Sequence, residues 1–326
     1  MTDNTQPTES MSIGKLARTT GLSVRTIRFY CDEGILESHR SAGGHRMFDA
    51  HSATERLLLI RRLRALGLGL ASITEVLRGQ RSLGEAIAAE SARLDIEFEA
   101  LAWRRASLRA VDAASPSERA PRLALLAAVQ DGRAAHDCLV RFWRRVLTGT
   151  TRSDFDTFAD ATIPEPPADP SIEEVVSYAE LTGLVTDPEL HGAVGQQLWR
   201  SEPHLIRDHR ELFFHVGEVL VDVLPHLAEG TQPHAGRELD RFVGAHAAAR
   251  GEQDSPAFRA QLLCDATDTD RRIHRYWTLT AELSHTPATM GQAHYWLYQA
   301  LNRSADLPPT GAAGRITFSR IGACLG

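Results

Sequence analysis

The chain has 326 residues, 43% of them hydrophobic and 24% charged. This is an ordinary globular composition, long enough for two domains with separate cores, and it excludes disordered and collagen-like classes. The formal net charge of −6 argues against nucleic-acid binding on average. Residues 11–78, however, hold 11 Lys and Arg against 6 Asp and Glu, a net of +5 that leaves −11 for the rest. A basic module on an acidic body is the footprint of a protein in which one part meets phosphates, with chance clustering as the alternative.

In chain order, residues 1–10 are polar and read as a disordered tail without a signal peptide. No stretch is long enough to cross a bilayer, so the expected setting is cytoplasmic, with no membrane partner. Ser12 is placed to cap a helix over Ile13–Thr19. Thr20-Gly21-Leu22 reads as a turn, and Ser23 caps a second helix over Val24–Glu33, closed by Gly34. Two short helices joined by a Gly-containing turn form a helix-turn-helix. Residues 35–48, centred on Gly43-Gly44, read as a small hairpin or wing. Asp49 caps a third helix, His51–Leu66, with Leu57, Ile60, Leu63 and Leu66 on one face. A fourth short helix spans Ser72–Leu77.

From Ser82 to Val111 the pattern changes to a single long helix, about 45 Å at 1.5 Å per residue. Its 3-4 spacing runs through Leu83, Ile87, Glu90, Leu94, Glu97, Leu101, Arg104, Leu108 and Val111. Such a stripe must be buried, either against a second copy, as a coiled coil over residues 81–113, or against the C-terminal domain. Glu90, Glu97 and Arg104 suit a seam where one chain's acid meets the other's base. Residues 113–121 read as a linker. Beyond it helices are expected at Arg122–Gln130, Arg133–Thr148, Ser171–Leu184, Asp187–Arg200, Pro203–Leu227, Ala235–Arg250, Ala257–Leu283 and Pro287–Asn302. Four prolines in residues 163–170 enforce a loop, and 306–326 reads as a tail. The fold class is mainly α: a winged helix-turn-helix domain (11–80), a dimerisation helix (81–113) and an all-helical domain (120–305).

The second helix carries the chemistry. With Val24 and Ile27 facing inward, Arg25, Thr26, Arg28 and Tyr30 are candidates for meeting DNA. Arginine can donate two hydrogen bonds to a guanine edge, a Thr methyl can touch thymine, and a tyrosine hydroxyl can bond a phosphate. Lys15, Arg18 and Ser23 flank this helix. His45 and Arg46 sit beyond the wing turn, and Arg61, Arg62 and Arg64 add charge from the third helix. Each arginine alone is better read as solvated surface, but the set on a capped helix-turn-helix is not.

The order and spacing of Ser12-Ile13-Gly14-Lys15-Leu16-Ala17, Gly21-Leu22-Ser23, Arg25-Thr26-Ile27-Arg28-Phe29-Tyr30, Gly34-Ile35-Leu36, Gly44-His45-Arg46-Met47-Phe48 and Leu66-Gly67-Leu68 resemble the MerR family of bacterial regulators. The resemblance covers residues 11 to about 111. It implies a winged helix-turn-helix and an antiparallel coiled-coil homodimer seated on double-stranded promoter DNA, through Leu83, Ile87, Leu94, Leu101 and Leu108. It also implies a near-palindromic site and a promoter bent and untwisted so that RNA polymerase can read it. Phe29 departs from a tyrosine common in the family, and Cys31 from a charged residue.

Four cysteines, Cys31, Cys138, Cys264 and Cys324, form no C-x-x-C pair. None falls at the ends of the long helix, where metal- and redox-sensing relatives carry them, so neither a metal nor another cofactor is expected. The large helical C-terminal domain resembles the helical drug-binding domain of the thiostrepton-induced MerR-type regulators, without a shared motif specific to it. Its aromatic content suggests a pocket for a small organic ligand, with Trp143, Trp199, Phe214, Glu218, Tyr276, Trp277 and Tyr295 as candidate contacts. Glu211, His215, Glu218 and Asp222 line one helix face and could meet a cationic drug or a hard metal ion, although a solvated face is the better reading. No hydrolase, P-loop or dinucleotide motif occurs, so no enzyme is expected. The rival readings are a ligand-independent repressor or promoter-architecture protein, and a ligand-modifying or ligand-sequestering domain tethered to DNA.

Overall fold

The computed structural model describes residues 9–41 and 43–306. It is mainly α-helical, and its described residues fall into two compact units that divide between Phe98 and Glu99.

In the first unit, α1 (Ile13–Thr20) and α2 (Val24–Asp32) form the helix-turn-helix. Ser12 and Ser23 cap them, their hydroxyls accepting from the backbone N–H of Lys15 and Thr26 at 3.4 and 3.0 Å. Gly21 ends α1 in the left-handed region at φ 71°. A side chain there would be strained by the backbone and would also crowd the Arg61 guanidinium at 3.0 Å. The wing strands β2 (His39–Arg40) and β3 (Arg46–Asp49) pair antiparallel. They gain an unforeseen third partner, β1 (Ser10–Ser12), giving the order β1-β3-β2. Ser10 pairs with Asp49, and Met11, opposite Phe48, is buried with it. The expected tail therefore cannot include Ser10; the outer edge of β3 recruits it. Asp49 caps α3 (Ala50–Ala65), accepting from Ser52 at 2.8 Å, and α4 (Leu70–Leu77) follows. The core gathers Leu16, Ile27, Phe48, Leu57, Ile60 and Ile73. Leu66 is not on that face: it lies past the end of α3 and is 67% exposed.

The long helix α5 runs Leu83–Asp112. Ser82 and Glu85 close its start reciprocally, Ser82 Oγ accepting from Glu85 N–H at 3.1 Å and the Glu85 carboxylate accepting from Ser82 N–H at 2.8 Å.

The second unit is built on two apolar clusters. The first joins the buried Trp103, Ala106 and Ala110 of α5 to α6 (Arg119–Ala127), α7 (Gly132–Val146), α8 (Arg152–Thr162), α9 (Ile172–Thr186), α10 (Pro188–Trp199) and α14 (Arg271–Ser284). The second joins α11 (His209–Ala228), α12 (Arg237–Arg250), α13 (Pro256–Leu263) and α15 (Met290–Asp306). Trp199 and Met290 pack against both. Helix α8 was not foreseen; Thr151 caps it, accepting from Asp154 N–H at 3.3 Å.

Two expected helices are each divided. The Pro203–Leu227 reading becomes a 3-10 turn at Pro203–Leu205 and then α11, because the Asp208 carboxylate caps a fresh start by accepting from Glu211 N–H at 2.9 Å. The Ala257–Leu283 reading becomes α13 and α14, because Asp268 leaves the helical path to meet Arg200. Helix α15 continues to Asp306, whereas residues 1–8 and 307–326, the remainder of the two expected tails, lie outside the described residues. Among the described residues no helix is long and apolar enough to cross a membrane.

Arg200 and Asp268 form a doubly bonded ion pair with neither side chain more than 1% exposed. Removing one partner of such a pair leaves an uncompensated buried charge, at a cost of about 3–5 kcal/mol. Asp268→Leu should therefore lower stability toward urea by that order, and adding Arg200→Met should restore most of it. Equal losses in the single and double variants would contradict this account.

Candidate functional site

The surface of α2 is divided by helical geometry. Ile27 is fully buried and Val24 half-buried, while Arg25 and Arg28 are exposed and bond no other described residue. Thr26 is half-buried, and its hydroxyl lies 2.7 Å from that of Ser23, so these two serve the helix start. The ring of Tyr30 packs into the core, leaving the residue 8% exposed, whereas Phe29 beside it is 45% exposed. Phe29 is thus the aromatic side chain that α2 turns outward.

Around α2, Arg18 is exposed at the end of α1, and Lys15 is exposed but paired with Glu9 at 3.0 Å. His45 stands exposed past the wing turn, where its N–H donates to Ser41 Oγ at 3.2 Å. Arg46 is drawn 3.0 Å from Asp32. Arg40, on the facing strand, is a further exposed cation that sequence reasoning passed over, although its place one wing strand away was a readable signal. Two α3 arginines have structural work. Arg61 donates to the carbonyl of buried Thr20 at 2.8 Å, tying α3 to the end of α1, and Arg64 donates to the Leu68 carbonyl at 2.9 Å. Arg62 is exposed and bonds no other described residue. Cys31 is half-buried, and burial pushes its thiol up, which works against a reactive thiolate.

Helix α5 leaves its predicted stripe uncovered. Leu83, Ile87, Leu94, Leu101 and Leu108 are between 39% and 64% exposed, and Phe98, on the flank of the same face, is 58% exposed. Glu90 and Glu97 are not waiting for another chain, since Arg93 of their own helix pairs with both, at 2.5 Å to Glu90. Arg104 remains exposed.

Within the second unit a cavity of about 390 Å³ opens where the two apolar clusters meet, walled by α7, α8, α10, α11, α14 and α15. Trp143, Trp199, Phe214, Glu218 and Trp277, five of the seven candidate ligand contacts, line it. Tyr276 does not: it is fully buried behind Trp143, whose indole N–H donates to its hydroxyl at 2.6 Å, and burial raises its pKa to about 12. Tyr295 lines a different hollow, beside Trp296 and Gln292. The acidic row Glu211, His215, Glu218 and Asp222 lies on the exposed face of α11, and Arg241 pairs with both Glu218 and Asp222. No group of metal-ligating side chains is found among the described residues.

With this geometry in place, comparison with known proteins gives a consistent result. Residues 11–80 match the MerR HTH family regulatory protein model. The N terminus is a MerR-family helix-turn-helix domain. The chain is 37% identical over 98 residues to nodulation protein NolA of Bradyrhizobium diazoefficiens, covering 30% of this chain and 41% of that one. It is 36% identical over 110 residues to the protein of the same name from Bradyrhizobium sp. strain NC92, covering 33% and 46%. The chain thus spans less than half the length of these curated relatives. No solved structure matches it.

The division of labour among the arginines can be tested directly. Losing the Arg61 bond to a buried carbonyl should cost about 1 kcal/mol, so Arg61→Ala should lower the melting temperature. Arg28→Ala, which removes no side-chain hydrogen bond or ion pair among the described residues, should leave it unchanged. Calorimetry on both variants checks this, and equal melting shifts would refute the assignment.

Proposed function

We propose that the protein is a DNA-binding transcription regulator that acts as a homodimer and alters promoter geometry in response to a small organic ligand. The observation that carries the reading is the pair of exposed arginines, Arg25 and Arg28, on a capped second helix of a MerR-family domain. Arg18, Arg40, His45 and Arg62 supply further exposed donors, suited to phosphate contacts that set register.

Dimerisation is supported by the uncovered apolar stripe of α5. A second copy of the same helix can cover it, antiparallel as the resemblance implies, and thereby present two recognition helices to a near-palindromic promoter. Ligand response is supported by the aromatic cavity of the second unit, whose size falls in the range of small-molecule sites. In this reading the ligand acts through DNA deformation, with RNA polymerase as the partner that profits.

Two measurements test the reading. Fluorescence anisotropy on a duplex from the gene's upstream region should show Arg28→Ala weakening specific binding by about 1–3 kcal/mol. Unchanged affinity would remove α2 as the recognition helix. Leu94→Arg combined with Leu101→Arg should sediment as a monomer where the parent sediments as a dimer; an intact dimer would sink the role of α5.

A further inference from the structure

We infer that the cavity of the second unit selects an uncharged, flat aromatic molecule carrying one hydrogen-bond acceptor, with His294 as the residue that reads that acceptor. The inference rests on the ligand-responsive reading above and specifies the chemistry of its ligand.

Six aromatic rings, those of Trp143, Phe158, Trp199, Phe213, Phe214 and Trp277, contribute to the walls. Rings prefer to meet other rings edge-to-face or offset-stacked, so walls of this kind favour a flat aromatic occupant over a branched or sugar-like one. They are also held firmly. Trp277 packs so closely on α15 that a methyl group at Gly291 would lie 2.0 Å from its indole nitrogen. Trp143 is fixed through its bond to Tyr276.

The charges around the cavity work against a cation. Its two acids are Asp154 and Glu218. The Arg210 guanidinium donates to Asp154 at 2.7 Å and holds its carboxyl below the usual range, while Glu218 shares Arg241 with Asp222. Arg210 also lies 5.2 Å from the centre of the Phe214 ring, so one wall already has its cation. A positively charged ligand would lose its hydration among apolar rings and find no acid without an arginine, which is costly.

His294 supplies the polar reading. It lines the cavity at 2% exposure, and neither ring nitrogen bonds another described residue; the Trp277 indole N–H, the other unbonded donor of the lining, is packed against Gly291 of α15. Burial, reinforced by the Arg200 charge, pushes its pKa down to about 3, so the ring is neutral and keeps one N–H donor. A buried donor without a partner is unfavourable, and a ligand acceptor that satisfies it is favoured over an equal outline that cannot.

Acridine and N-methylacridinium share one ring system and differ by a single methyl on the ring nitrogen, but only acridine is uncharged at about pH 8 and only it has a ring-nitrogen lone pair. Binding of each to the full chain is read by quenching of tryptophan fluorescence. Acridine should bind about ten-fold more tightly or better, equivalent to about 1.4 kcal/mol. His294→Leu should weaken acridine about five-fold and leave N-methylacridinium unchanged. Gly217→Phe should abolish acridine binding, since Gly217 lines the cavity and a Cβ there meets nothing within 4 Å; calorimetry on the variant checks that it unfolds cooperatively. N-methylacridinium binding as tightly as acridine, and lost in Gly217→Phe, would overturn the inference and leave the ligand-responsive reading standing. So would acridine binding that His294→Leu does not weaken. Failure of both compounds to bind, or binding that survives Gly217→Phe in a cooperatively folded variant, would overturn both.

Discussion

The second unit depends on one buried ion pair. Arg200 sits at the end of α10 in the left-handed region, at φ 60°, a conformation that a long side chain adopts only when its surroundings hold it there. Asp268 does so from 68 residues further along the chain, and Gln197 donates to the same carboxylate at 3.3 Å. Arg250 completes the lattice by donating to the carbonyls of Trp199 and Ser201 at 2.6 and 2.9 Å. The chain between α10 and α11 is therefore fixed by charge-assisted bonds where no helix could satisfy its carbonyls. Trp199, a wall of the cavity, is held at its backbone by this network. Burial, with the Arg200 charge, keeps His246 and His294 neutral. The cavity and its stiffening are thus one arrangement: polar groups buried behind an apolar chamber and anchored on Asp268, with His294 among those left without a hydrogen-bond partner.

The two units solve their burial problems differently. In the first, short helices and a three-stranded sheet close over one small core, and most of the cations, Arg25 and Arg28 among them, stay on its water-facing side. In α5 the same principle is left incomplete. The Trp103–Ala106–Ala110 face is covered within its own unit, while the Leu94–Leu101–Leu108 face is not. An apolar stripe that long on a helix surface is expensive in water, and this is the physical reason to look for a second copy.

Much of the first unit was legible because its signals are local. Ser12, Ser23 and Asp49 each bond a backbone N–H three residues on, and Ser82 with Glu85 does so in both directions; such bonds need no knowledge of the fold. The heptad spacing of α5 is equally local, and its exposed face follows from 3.6 residues per turn. What could not be read was which side chains the fold would spend. Arg61 resembles Arg28 in sequence, yet the side chain of one holds a carbonyl 41 residues away and that of the other bonds no other described residue. Tyr30 and Phe29 are adjacent, and only the packing of α2 on its core decides that the first is buried and the second faces out.

The contrast is sharpest in the cavity. Aromatic content singled out Trp143, Trp199 and Trp277 from the sequence, since large rings cluster wherever apolar surfaces meet. It equally singled out Tyr276 and Tyr295, which the tertiary structure puts behind the wall and in another hollow. His294 carried no signal, because an isolated histidine in a helix has no periodic or spacing signature. The sequence by itself determined the helix-turn-helix, its caps and the long helix α5, all of which depend on neighbours within one or two turns. Only the tertiary structure decided the cavity, its neutral histidine and the arginine that braces it, because these depend on side chains brought together from six helices spread over more than 150 residues.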